Sequence, residues 1–271
     1  MIGVELTKLV RSRRTWVTVA VIDALPVLVA VLLALTDIGP RPGSGPAFLS
    51  AVLTDGSLYP LAAMAMILPL FLPAAVAVTA GDAIAGEAQQ GTLRYVLVRP
   101  VGRTRLLVAK LVSVMAFVLL TLVVVAATAF VLGLVLLGNG DSATVTTTFS
   151  GTTLSTTELV ERTGLALLYA LLSMLGVAAV ALFLSTIVRS PLAAAMGTLA
   201  LLIGSSLLLT LDAANALQPY LVTRYWLSFV DLFRDPILWH DVLRGVLLQA
   251  GYVVVFLAAA WANFVTKDVT D

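Results

Sequence analysis

Apolar residues in this chain fall into long solid blocks, separated by short runs of charged, glycine, proline and threonine residues. A helix needs about 20 mostly apolar residues to cross the hydrocarbon of a bilayer. Six blocks reach that length, at about 15–36, 58–80, 107–137, 162–187, 191–211 and 243–265. The blocks are rich in Leu, Val and Ala and do not alternate with polar residues. That suits helices, whose backbone groups are satisfied within the segment. Membrane barrels need alternating segments, so strands are not expected. The predicted class is an all-α integral membrane protein: residues 1–14 form an interfacial helix and residues 15–271 a six-helix transmembrane domain.

The first residues, "MIGVELTKLVRSRR", place Ile2, Leu6, Leu9 and Val10 on roughly one helical face, with Lys8, Arg11 and Arg14 largely elsewhere. This predicts a short basic amphipathic helix lying on the membrane. The apolar block after Arg14 is longer than the 7–15 residues of a signal-peptide core, so it reads as an uncleaved first span.

Composition agrees. The chain is 60% hydrophobic and only 11% charged, against about 25% charged for soluble domains. The net charge of +1 and basic residues that punctuate spans argue against nucleic acid. With no Cys and one His, His240, there is no disulfide framework, thiol nucleophile or usual zinc site. His240 reads as an interfacial polar residue. No catalytic site is evident, and the chain is not expected to be an enzyme.

If both termini share one side, that side holds Lys8, Arg11, Arg13, Arg14, Arg94, Arg99, Arg103, Arg105, Lys110, Arg189 and Lys267, 11 of the 16 basic residues. The positive-inside rule then puts both termini in the cytoplasm. Arg outnumbers Lys 13 to 3 and Ala is abundant, which suggests a GC-rich bacterial genome and a multi-pass protein of the cytoplasmic (inner) membrane.

One cytoplasmic connection stands out. "GEAQQGTLRYVLVRPVGRTRLLVAK", from Gly86 to Lys110, sits between two uncharged stretches yet carries one Glu, four Arg and one Lys. Near the bilayer centre each Arg would cost about 2.5–3.5 kcal/mol, and a simple turn needs only a handful of residues. The stretch is expected to form a helix–break–helix element, about 82–105, standing off the membrane and presenting Glu87, Gln89, Gln90 and Arg94. Gly91 with Thr92 would break one helix and cap the next. Pro100 would end the second by Arg99.

These residues resemble the signature of ABC-2 type transporter permeases: an acidic residue, then Gly-Thr-Leu, several apolar residues, Pro, Arg, and a Lys opening the next helix. Here they are Glu87, Gly91, Thr92, Leu93, Pro100, Arg103 and Lys110. The six-span plan and amphipathic N-terminus extend the likeness to nearly the whole chain. The resemblance implies a type V exporter-like fold. It implies a second permease chain, forming a homodimer or a heterodimer, and a separate ATP-binding cassette ATPase subunit. It also implies an ATPase-coupling site of Glu87, Gln90, Gly91, Thr92, Leu93, Arg94, Pro100 and Arg103. Residues 212–242 would match extracellular re-entrant helices, and Val188–Leu192 a minor inner contact.

The chain contains no G-x-x-x-x-G-K-[ST] sequence, so it cannot hold ATP by a P-loop. ATP and Mg belong to the partner, and this chain needs no cofactor. The function expected is export of a hydrophobic or amphipathic substrate by alternating access, with membrane lipids as neighbours. Two alternatives remain: an ATP-independent carrier or channel, and a membrane anchor or sensor subunit. Asp23, the only charge in the first span, is the candidate intramembrane polar site for the carrier.

Smaller signals complete the reading. Pro69 and Pro73 would kink the second span. Ser155 and Glu158 fit a capping box that starts the fourth helix outside the membrane. Gly133 and Gly138 would allow close packing. Gly197 and Gly204 form a small-residue face suited to subunit contact. Tyr220, Tyr225, Trp226, Phe229, Phe233 and Trp239 read as an interfacial belt or short surface helices, or as an aromatic substrate mouth.

Overall fold

The structure is a computed structural model that describes residues 2–36, 56–91, 102–137, 145–147 and 153–266. It is helical, and six helices are long and apolar enough to cross a membrane.

Helix α1 (Ile2–Arg11) buries no residue completely. Its Leu9 leans on the core while Ile2, Val4 and Val10 stay exposed. A break at Ser12 separates it from α2 (Arg13–Leu35). The Trp16 indole Nε1 reaches back over the break and donates to the Val10 carbonyl at 2.8 Å.

The second span is two helices where the sequence suggested one kinked segment over 58–80. Helix α3 (Tyr59–Ile67) stops before Pro69, and α4 (Phe71–Gln89) begins two residues after it. Pro69 cannot continue the first ladder, and Pro73 sits in the first turn of the second, where an amide would have no partner anyway. Every residue of α3 except Met66 is buried. Helix α4 runs past 80 to Gln89, so the first part of the expected stand-off element is the continuation of this span.

Helix α5 (Arg103–Leu132) ends in a π-turn, Gly133–Leu137. A Cβ on Gly133 would lie 2.0 Å from the Gly56 carbonyl oxygen. The close approach expected of Gly133 is therefore real, and it pins the segment entering α3. Gly138 lies outside the described residues.

The Thr-rich connection departs from the expectation of no strand. It contains β1 (Val145–Thr147) and β2 (Thr153–Ser155), antiparallel, with Val145 opposite Ser155 and Thr147 opposite Thr153. β-Branched residues favour such pairing, and a two-stranded ribbon away from lipid can solvate its edges. Ser155 then caps α6 (Thr156–Ile187). Its hydroxyl accepts from the Glu158 amide at 3.3 Å, and Glu158 accepts from the Ser155 amide at 2.9 Å. The capping box read from sequence is present.

Helix α6 is the most enclosed span and packs against α4, α5, α7 (Pro191–Leu208) and α8 (Trp239–Thr266). A Cβ on Gly197 would meet the Leu184 side chain at 3.1 Å within this packing, whereas one on Gly204 would face open space.

Between α7 and α8 the chain folds as three 3-10 turns, Asp212–Ala214, Gln218–Tyr220 and Ser228–Phe233. The aromatics divide. Tyr225, Trp226, Phe229 and Phe233 are buried, and Tyr220 and Trp239 are exposed. Side chains from the spans, among them Tyr169, Gln249 and Arg162, hold this cap by its backbone. The Tyr169 hydroxyl donates to the Tyr225 carbonyl at 2.6 Å, Gln249 to that of Val222 at 2.8 Å, and Arg162 to those of Leu232 and Arg234 at 3.1 and 2.9 Å. Asp231 in the cap pairs with Arg234 at 3.0 Å, but burial outweighs that pairing and raises its pKa above the usual carboxylate value. The segment is a packed plug on α6 and α8 more than a set of surface helices.

Candidate functional site

The opposite end of the bundle gathers α1, the ends of α4 and α8, and the start of α5. We call it the basic end. At its centre Lys110, two turns into α5, is 5% exposed. Its ammonium donates to Glu5 of α1 at 3.2 Å and, in a shorter contact, to Glu87 of α4. The carboxylate side chains are 20% and 17% exposed. A lysine ammonium buried in this way is tolerable only when paired. Two carboxylates from two different helices share this one ammonium.

Arg103 lies at the same end, in the first turn of α5. Its guanidinium donates to the Phe264 and Val265 carbonyls at 3.0 and 2.7 Å. These belong to the last turn of α8, whose carbonyls lack helical partners and carry the negative end of the helix dipole. Beside it the Trp261 indole donates to the Thr104 hydroxyl at 2.9 Å. Arg103 thus fastens the last span to the third.

Helix α4 ends at Gly91, whose φ of 69° is the only positive value among the described residues. The Gln90 amide bonds back to Gly86 at 3.0 Å and the Gly91 amide to Ala88 at 3.1 Å. A left-handed terminal residue is a common helix stop and favours glycine. The break expected at Gly91 is there. Gln89 and Gln90 are exposed, but Glu87 turns inward to Lys110 and is not presented outward as the sequence suggested. Thr92, Leu93, Arg94 and Pro100 lie outside the described residues.

Ser185 near the end of α6 was not singled out by sequence reasoning. Its hydroxyl donates to the Gly81 carbonyl at 2.7 Å and accepts from the Ala85 amide at 2.9 Å and the Ile84 amide at 3.2 Å. Gly81 and Ala85 are the pair that a regular helix would join directly. The serine therefore sits inside the α4 ladder as a relay. Gly81 also lets α7 come close: a Cβ there would meet the Ala195 amide at 3.0 Å.

Asp23 lies deep in α2, half-buried, with the Thr128 hydroxyl of α5 at 2.7 Å from its Oδ1. One turn on, the buried Tyr59 hydroxyl donates to the Pro26 carbonyl. No group of three His, Asp or Glu suited to a metal occurs among the described residues.

Residues 27–270 match a family described as "Protein of unknown function (DUF2705)". The chain belongs to this family. No curated protein matches it significantly. The family brings no chemistry with it, so any functional reading must come from the charges at the basic end and in the spans.

Proposed function

We propose that this chain is the permease subunit of an ATP-binding cassette exporter in a bacterial cytoplasmic membrane, with the basic end facing the cytoplasm. A separate ATPase subunit docks on the connection between α4 and α5, where Gln90, Gly91, Thr92, Leu93, Arg94 and Pro100 form its contact. A second permease chain completes the unit. The cargo is hydrophobic or amphipathic.

One observation carries this reading. The two roots of that connection, Glu87 near the end of α4 and Lys110 two turns into α5, are ion-paired to each other, and Lys110 is paired in turn to Glu5 of α1. A push on residues between them reaches two spans and the amphipathic helix together, as a rigid-body drive requires. Glu87 therefore holds the root and does not touch the partner. Arg103 extends the same linkage to α8.

The test is a pull-down of the tagged chain from native membranes in mild detergent, with mass spectrometry of what accompanies it. A stoichiometric subunit bearing a P-loop is expected, and it should be lost from Arg94→Glu. A preparation free of any nucleotide-binding partner would overturn the reading. In that case the Asp23–Thr128 pair favours a self-contained carrier, and Asp23→Asn should abolish its transport.

A further inference from the structure

A cleft of about 700 Å³ opens at the basic end, walled by α1, α2, α4, α5 and α7. Helices α2 and α7 both line it without packing closely on each other. Its floor includes the knot. Its mouth carries three further charges: Lys8 on α1, Arg14 at the start of α2 and Asp82 on α4. All three are exposed, and none has an ion-pair partner among the described residues. Beside them the apolar side chains of Val17, Val78 and Leu192 are 63%, 56% and 70% exposed.

The charges and the apolar rails point to one kind of occupant. Two free cations thus face one free carboxylate across the mouth. Exposed charges at a membrane surface draw headgroup partners of opposite sign. A purely anionic ligand would satisfy Lys8 and Arg14 but leave Asp82 alone. A purely cationic one would do the reverse. A ligand with a phosphate and an amine satisfies all three, because Arg and Lys favour phosphate oxygens and a carboxylate favours an ammonium that can donate. The exposed valines and Leu192 supply a path for chains leaving such a headgroup toward the hydrocarbon.

We propose that this cleft binds a zwitterionic phospholipid bearing a primary amine. Its phosphate rests on Lys8 and Arg14, its ammonium on Asp82, and its acyl chains along Val17, Val78 and Leu192. The site belongs to the single chain, so it holds whether or not an ATPase docks.

The test uses the whole chain in mild detergent, with native mass spectrometry after adding phosphatidylethanolamine, phosphatidylcholine or phosphatidylglycerol. The choline headgroup cannot donate a hydrogen bond to Asp82, so phosphatidylethanolamine should be retained about tenfold over phosphatidylcholine, the ratio of one charge-assisted hydrogen bond. Asp82→Asn should bring the two level while leaving phosphatidylglycerol bound. Lys8→Gln with Arg14→Gln should lose all three lipids. Equal retention of ethanolamine and choline lipids by the unaltered chain, or a preference that survives Asp82→Asn, would overturn the proposal. So would a disulfide between Val17→Cys in one copy and Leu192→Cys in another that added lipid does not prevent, because the groove would then be filled by a second chain. The substituted side chains are exposed, so the variants should keep the unfolding midpoint of the parent, which serves as the control.

Discussion

Replacing Lys110 by Met removes the ammonium but keeps most of the apolar stem. The structure predicts a large cost. Lys110 is 5% exposed and faces carboxylates that are themselves four-fifths or more covered. Taking one partner from a buried ion pair costs about 3–5 kcal/mol, chiefly because the remaining charge is stranded. Here two like charges would lose the cation that lies between them. Glu87→Gln should behave differently. It leaves Lys110 paired with Glu5, so its cost should be about 1 kcal/mol, the ordinary worth of a hydrogen bond. Glu5→Gln should cost less still, since its contact is the longer and its side chain the more exposed. The decisive quantity is the interaction in the double variant. Glu87→Gln should recover about 1–3 kcal/mol of the Lys110→Met loss, the range seen for residues in one network. Equilibrium unfolding in mixed micelles would measure all four proteins. If Lys110→Met costs no more than Glu87→Gln, or if the two effects simply add, the knot is not the unit described above.

Two other substitutions probe the packing. Ser185→Ala should destabilise by about 1–3 kcal/mol, the cost of buried backbone groups losing a partner, and should speed amide exchange at Ile84 and Ala85 in particular. A loss of stability without that local exchange would argue against the relay. Gly245→Ala drives a methyl to 2.0 Å from the Tyr169 hydroxyl and 2.9 Å from Tyr225 Cβ. An overpacking cost of about 1–3 kcal/mol is expected, and Tyr169→Phe in the same chain should return part of it. Failure of that rescue would mean the cap contact is not the source of the strain.

Much of the bundle could be read from residue order alone, because lipid makes the rule simple: long apolar blocks become helices. The capping box at Ser155 and the stop at Gly91 also rest on neighbours in the chain, and so were legible; Pro69 marked a kink but not the full division into two helices. Contacts made across about 100 residues were not. Nothing around Ser185 marks it as an insert in another helix, and nothing near Glu87 says that it turns toward Lys110, 23 residues on. In sequence Glu87 looks like one more polar residue of an exposed connection. The same holds for the aromatic segment, where only the partners Tyr169, Arg162 and Gln249 tell the buried rings from the exposed ones. Asp23 stands out in the sequence as the only charge in its span, but its partner Thr128 lies 105 residues away and carries no charge to signal the pairing.

The divided second span has a mechanical meaning. Its first part, α3, is enclosed almost all round, so its position is set by the core. Its second part, α4, is 19 residues long, about 28 Å of lever arm at the usual helical rise. The residues 68–70 between them are the natural pivot. A swing of about 10° there carries Gln89 through about 5 Å, by the same helical rise, while Tyr59 stays where it is. Ser185 touches α4 between pivot and tip, so the same swing must either carry the end of α6 along or let the relayed hydrogen bonds part.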